Sequence, residues 1–300
     1  MLKVAWSECY AHPLPEGHRF PMEKYELLPM QLLHEGTLTK DNFFAPEMIS
    51  EEAILEIHDA DYWQKLKSLS LTKREERKTG FPLSEALIQR ERTIMQGTVD
   101  CAQFALEHGA SLNIAGGTHH AFTNRGEGFC LLNDIALGAK SLLNQFPNWK
   151  ILVVDLDVHQ GNGTAEIFKN EERVFTFSMH GEHNYPLQKE QSNLDIGLPD
   201  GTKDDDYLQV LTNHYHQLIA DFKPDFIFFQ TGVDIINTDK LGRMAISIDG
   251  CKKRDEIVLS TAERHQIPVC MSMGGGYSPD IKHIVEAHAN TYRITKDIFF

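Results

Sequence analysis

Asp155, Asp157 and His159 alternate in the stretch DLDVHQGNG, and Asp234 follows a second apolar run in QTGVD. Carboxylate oxygen and imidazole nitrogen are zinc-ligand atoms, each reaching about 2.0–2.2 Å. The preceding residues, Ile151-Leu152-Val153-Val154, are apolar and mostly β-branched and predict a buried strand. Alternation in an extended chain would turn Asp155, Asp157 and His159 to one side. Buried acids cost several kcal/mol unless their charge is compensated. A divalent ion held by Asp157, His159 and Asp234 would compensate it. The alternative is an Asp157–His159 hydrogen-bonded pair with no metal.

Two anionic ligands donate more charge to a metal than three imidazoles do. Water at such a centre is less acidified than the pKa of ~7 reached with three histidines, so a separate general base is needed. His119 and His120, after the turn residues Gly116-Gly117-Thr118, are the candidates. Tyr277 follows Gly274-Gly275-Gly276, a run that lets a side chain approach a ligand closely. Its phenol could stabilise an oxyanion. GGGY matches neither GxGxxG nor a phosphate loop. Metal, histidine and tyrosine together describe metal-assisted hydrolysis of a neutral carbonyl, most simply an amide.

These residues need a scaffold that brings distant segments to one rim. SLNIAGG, KILVVDLDVH, RVFTFSMH, PDFIFFQTGVD and IPVCMSMGGGY each read as a strand and the loop after it. Helical patterns lie between them: from Ser84 to about Glu107 with Gly109 as a stop, then 133–146, 207–220 and 252–266. Such alternation predicts an α/β fold with a mostly parallel sheet covered by helices, and ligands bind beyond the carboxyl ends of its strands. Thr72 to Gly80, TKREERKTG, reads as a solvated loop or helix end. No repeat, linker or low-complexity tract divides the chain, so residues 1–300 are expected to form one domain.

The chain has 300 residues, 41% hydrophobic and 24% charged, with a formal net charge of −14. That balance opposes a nucleic-acid footprint, suits a soluble acidic protein, and weakly favours a cationic substrate. Five scattered cysteines without a CxxC pair predict a reducing compartment. The N-terminus MLKVAWSECY has no signal-peptide core and no apolar run approaches membrane-spanning length, so a cytoplasmic location is expected. Nothing in the sequence speaks to oligomeric state.

GGTHHAF, GEGFCLLND, VVDLDVHQGNGT, FSMH, QTGVD and GGGY occur in the order and spacing of the zinc-dependent histone deacetylase superfamily. The resemblance runs from about Val4 to the final helix. HPLPEGHRFPMEKY, DVHQGNG and DKLGRM resemble the class IV branch and its bacterial relatives. The resemblance implies one arginase/deacetylase-like domain with about eight strands. It also implies that Asp157, His159 and Asp234 bind Zn2+, with Fe2+ compatible with the same set. His120 would be general base and acid, with His119 as its electrostatic neighbour oriented by Asp155. Tyr277 would polarise the acyl carbonyl. Gly128 and Phe129 would line an acyl-lysine channel, Tyr185 would form its opposite wall, and Leu241 would lie near the rim. Asp155, Asp157, His159, Ser178 and Met179 resemble a structural K+ site, which makes Asp155 a supporting residue rather than a zinc ligand. One departure concerns His120. The acid expected to partner it, five residues beyond Asp157, is Asn162 here. An amide cannot stabilise imidazolium as a carboxylate does, so a lower pKa is expected for His120 than in relatives with the acid.

A two-manganese ureohydrolase of the same fold would need an acid where Gly161 stands. A non-catalytic acyl-group-binding protein would need neither the histidine pair nor Tyr277. The expected substrates are therefore acetyl- or fatty-acyl-lysine in proteins or peptides, with acetylpolyamines or other small acylated amines as the alternative.

Overall fold

Parallel strands need long crossover connections, and this chain supplies them largely as helices. The computed structural model describes all 300 residues. Its strands are β1 (Lys3–Ala5), β2 (Phe43–Phe44), β3 (Ala110–Asn113), β4 (Ile151–Asp155), β5 (Val174–Gly181), β6 (Leu194–Leu198), β7 (Phe226–Gln230) and β8 (Val269–Ser272). They form one eight-stranded sheet in the order β2-β1-β3-β8-β7-β4-β5-β6, with every neighbouring pair parallel. The helices are α1 (Lys24–His34), α2 (Glu51–Leu55), α3 (Ala60–Lys67), α4 (Lys73–Thr79), α5 (Glu85–His108), α6 (Asp134–Gln145), α7 (Asn162–Phe168), α8 (Asp204–Phe222), α9 (Ile248–Arg264) and α10 (Ile281–Phe299). The result is a single α/β domain.

Successive residues of the central strands feed opposite faces. Leu152, Val154, Ile227 and Phe229 belong to the larger core cluster, whose helical members come partly from α1, α8, α9 and α10. Ile151, Val153, Phe226 and Phe228 belong to the smaller one, with residues of α5 and α6. Burial on both faces explains why these strands read as continuous apolar runs. From β4 the chain proceeds outward to β5 and β6, whereas β7 and β8 lie on the other side of β4. The direction of winding reverses between β4 and β7. A crevice opens at such a reversal, and Asp157 follows one of these strands while Asp234 follows the other.

Several boundaries differ from the sequence reading. TKREERKTG contains a complete short helix, α4. Thr72 accepts from the Glu75 N–H, the Glu75 carboxylate takes the Thr72 N–H, and left-handed Gly80 ends it. The capping box outweighs the polar composition. Strands β1, β2 and β6 carry little sequence signal because they are short or half-exposed. Ser178 lies inside β5. Helix α8 begins at Asp204 and α9 at Ile248, about one turn ahead of the starts expected at 207 and 252. No helix is long and apolar enough to cross a membrane.

Arg254 of α9 ties the two site-bearing strand ends together. Its side chain is fully buried and donates to the carbonyl oxygens of Leu156, Thr231 and Gly232 and to the Asp255 carboxylate, which also accepts from Thr291. Arg254→Met leaves those carbonyls and the Asp255 charge without their partner. The expected cost is about 3–5 kcal/mol, read as a lower urea midpoint, with weaker metal retention in the fraction that remains folded. An unchanged midpoint would remove Arg254 from this role.

Candidate active site

Strand β4 stops at Asp155, so the three alternating residues do not continue one extended strand. Asp155 is the last strand residue, Asp157 and His159 sit in the bend that follows, and the carboxylates separate. Asp155 turns its Oδ2 to His119 Nδ1 at 2.7 Å, while Asp157 Oδ1 and His159 Nδ1 lie 3.0 Å apart. Asp234 arrives from the loop after β7, with Oδ2 3.1 Å from the same His159 nitrogen. All three are buried, and their ligand atoms lie within 4.8 Å of one another. Backbone amides fix the carboxylates: Gly275 N–H donates to Asp157 Oδ2 at 2.9 Å and Val158 N–H to Asp234 Oδ1 at 2.9 Å. Gly275 must be glycine here, because a Cβ would lie 2.0 Å from Asp234 Oδ2.

The donor set fits a divalent ion. Burial and the Asp157 charge raise the Asp234 carboxyl well above the usual range. Burial opposes a charge on His159, but its bonds to Asp157 and Asp234 outweigh that and push it up to about 10. In the metal-free protein a proton therefore supplies the positive charge that two converging carboxylates demand, and a metal would supply it when bound.

The two neighbouring histidines are driven apart electrostatically. Their ring centroids are 4.1 Å apart. Burial would lower His119, yet the Asp155 and Asp157 charges outweigh it and raise it to about 9. Burial, then the charges of His119 and His159, hold His120 well below the ordinary imidazole value. His120 Nδ1 lies 2.6 Å from Asn162 Oδ1, an oxygen that also accepts the Gly163 N–H at 3.1 Å. An amide oxygen only accepts, so His120 carries its proton on Nδ1 and keeps a lone pair on Nε2.

Tyr277 is half-buried and its N–H donates to Asp239 Oδ2 at 2.6 Å. Burial, with Asp234 and Asp157 nearby, keeps its phenol protonated by raising its pKa. A cavity of about 40 Å³ joins Asp157, His159, His119, His120 and Tyr277 to Phe129 and Gly128, and continues inward to Lys24 and Arg90. An outer cavity of about 1020 Å³ meets it at His120, His159, Gly128, Phe129 and Tyr277 and is lined further by Tyr185 and Leu241. Tyr185 sits edge-on to His120, centroids 5.0 Å apart, and donates its hydroxyl to Glu127 at 2.6 Å. Phe129 adopts φ +67, a left-handed conformation costing about 1–3 kcal/mol, and packs between Phe20, Phe81 and Tyr277.

The histone deacetylase domain family matches residues 18–292. The chain belongs to that family. An uncharacterized protein of Picosynechococcus sp. is 42% identical over 99% of both chains. Histone deacetylase 2 of Arabidopsis thaliana is 29% identical, covering 89% of this chain and 72% of its own. Acetoin utilization protein AcuC of Staphylococcus xylosus is 27% identical, covering 91% of this chain and 76% of its own. In fold, the chain resembles an HDAC homolog crystallised with SAHA, with TM-score 0.84, 24% identity, and 99% and 84% of the two chains covered. It also resembles an HDAC homolog from Aquifex aeolicus, with TM-score 0.83, 23% identity, and 98% and 84% covered. Membership makes the chain a deacetylase-type hydrolase of arginase/deacetylase fold.

The deacetylase site also uses residues the sequence reading missed. Buried Asp134 accepts four donors: the Thr118 N–H and hydroxyl on one oxygen, and the Thr98 and Ser272 hydroxyls on the other. It thereby anchors the turn that presents His119 and His120. Lys24 is fully buried behind Tyr277 and donates to the Gly274 carbonyl at 3.0 Å. Burial lowers it to about 8, against the pull of Asp234 and Asp157. Its signal was present: Lys24 shares the apolar face of α1 with Tyr25, Leu28 and Leu32. The expected K+ site is only partly visible in side chains. Asp155 and Ser178 are paired across β4 and β5, and the Ser178 hydroxyl bonds His180 at 2.9 Å instead.

Asn162→Asp puts a carboxylate against His120 Nδ1 and is expected to raise the His120 pKa. A base must be unprotonated, so the acidic limb of kcat/KM should move to higher pH in the variant. NMR titration of the His120 ring checks this directly. A wild-type ring already titrating above the ordinary value would contradict it.

Proposed function

We propose that this protein is a zinc-dependent deacylase that removes short acyl groups, acetyl foremost, from the side-chain amide of lysine in proteins or peptides. The observation that carries the reading is one narrow cavity bounded together by Asp157, His159, His120 and Tyr277, with Asp234 closing the ligand set behind it. Asp157, His159 and Asp234 would hold the metal. When bound, it would supply Lewis acidity to the acyl carbonyl and lower the pKa of water.

The chain's own groups carry the remaining work. His120, neutral with a free Nε2, takes a proton during attack and returns it to the departing lysine amine. His119, cationic beside Asp155, keeps His120 neutral until then. Tyr277, a phenol held protonated, donates to the oxygen on which negative charge develops. Gly128 and Phe129 flank the aliphatic lysine stem and keep water from it, with Tyr185 and Leu241 further out. Gly128 admits this approach because a Cβ there would lie 2.7 Å from the His120 ring. A structural potassium ion near Asp155, Asp157, His159, Ser178 and Met179 belongs to the same proposal.

Chain length follows from room. By the measure in which one water takes ~10–15 Å³, about 40 Å³ accepts an acetyl group. A myristoyl chain would have to displace the packed rings of Phe20, Phe81 and Phe129.

With one lysine peptide carrying acetyl, octanoyl or myristoyl, kcat/KM is expected to fall with chain length. A preference for long chains would overturn the short-acyl assignment. Asp157→Ala, His159→Ala and Asp234→Ala should each abolish zinc retention and turnover, measured by metal analysis beside the assay. His120→Ala should keep zinc and lose about 10²–10⁴ in rate. Tyr277→Phe should lose about 10²–10³ in kcat while still binding an uncleaved peptide. Full activity in Tyr277→Phe would exclude the oxyanion role.

A further inference from the structure

Over the whole chain acids outnumber bases, 43 to 29. The outer cavity reverses that balance. Arg19, Lys78, Arg125, Lys189 and Arg243 line it, against Glu127 and Glu190. Not all of these cations are free. Lys189 donates to the carbonyls of Glu182, Asn184 and Pro186, at 3.2, 2.7 and 2.6 Å, and so shapes its own loop. Arg243 lies 3.4 Å from Asp200, which cancels it.

The segments that carry Phe129 are different. Lys78 and Arg125 share one carboxylate, Glu127, at 3.3 and 2.8 Å. That carboxylate is further occupied by the Tyr185 hydroxyl. Arg125 also lies over the Phe122 ring, 3.5 Å from its centroid, which holds the guanidinium in place. Arg19 is exposed and has no carboxylate partner, and its guanidinium stands 5.0 Å over the ring of Phe129, one of the residues both cavities share. One unpaired cation and one incompletely neutralised pair therefore border the entrance of the channel. Glu190 is the only lining acid outside this cluster, and it belongs to the loop that carries Lys189. Acidic patches elsewhere on the surface are screened beyond a Debye length of about 8 Å, so a bound segment is governed by the entrance rather than by the net charge.

We propose that the entrance selects acyl-lysine segments whose flanking residues are acidic, and rejects basic segments and acylpolyamines. This rests on the deacylase reading of the same site, and it reverses what the acidic composition alone suggests. The outer cavity is wide enough to seat residues on either side of the acylated lysine. Carboxylates on those residues would meet Arg19, Arg125 and Lys78, whereas ammonium groups would be repelled by them.

Three peptides with the same acetyl-lysine and aspartate, serine or lysine at the flanking positions test the proposal. Metal-loaded enzyme should show kcat/KM in the order acidic, neutral, basic, with about tenfold or more between the extremes at low ionic strength. The spread should shrink as salt rises. Arg19→Glu combined with Arg125→Glu should compress or invert the ratio of acidic to basic peptide. Binding of the fluorescently labelled peptides to metal-loaded His120→Ala, read by anisotropy, should follow the same order. Equal rates and equal binding, or a preference for the basic peptide, would overturn the proposal. If no peptide is hydrolysed, the deacylase reading fails, and the anisotropy order still decides whether the entrance selects acidic segments.

Discussion

Two buried carboxylates, Asp157 and Asp234, converge on one imidazole, and the rest of the site is arranged around that concentration of like charge. Burial penalises each carboxylate, and each raises the cost of ionising the other. Some positive charge must lie between or beside them. His159 provides it when protonated, a divalent ion would provide it in the working enzyme, and Lys24 adds a buried ammonium from behind. The backbone contributes as well, through the N–H groups of Val158 and Gly275. A glycine at 275 is a consequence of this geometry, because the loop passes too close to both acids to carry a side chain.

The same field divides the labour of the histidine pair. His119 and His120 are adjacent in sequence and almost touching, yet their surroundings push them in opposite directions. A carboxylate faces one ring and an amide faces the other. The amide also sets the tautomer, which leaves Nε2 of His120 as the basic atom. Environments that separate two similar groups in this way let one site hold a charged and a neutral imidazole side by side. The strain at Phe129 has a related cause: its left-handed backbone is tolerated because Phe20, Phe81 and Tyr277 pin the ring where the two cavities meet.

Precision at the site depends on elements that touch no substrate. Arg254 reaches from α9 to carbonyls on the loops after both β4 and β7, and Asp134 reaches from α6 to the histidine turn. Both are buried ionisable groups with nearly all their hydrogen-bonding capacity used. Loops that must hold charge within tenths of an ångström cannot rely on apolar packing alone, because apolar contact is not directional. Buried polar anchors supply direction.

Much was legible in the sequence. Apolar runs on both faces required a covered parallel sheet, the polar residues after those runs required a common rim, and their chemistry required a cation. Motif order added the family. The spacing of Asp155, Asp157 and His159 misled in one respect, since a bend after Asp155 sends that carboxylate to His119 and leaves Asp157 and His159 with Asp234. What the sequence by itself determined was the inventory and the architecture, because both follow from residue type and periodicity. Only the tertiary structure decided which acid faces which histidine, how small the inner cavity is, that Lys24 and Asp134 belong to the site, and that cations gather at the entrance of an acidic protein. Those properties depend on distances between segments that lie far apart along the chain. No local pattern encodes such distances; they arise only once the sheet, with its order reversed between β4 and β7, brings the segments together.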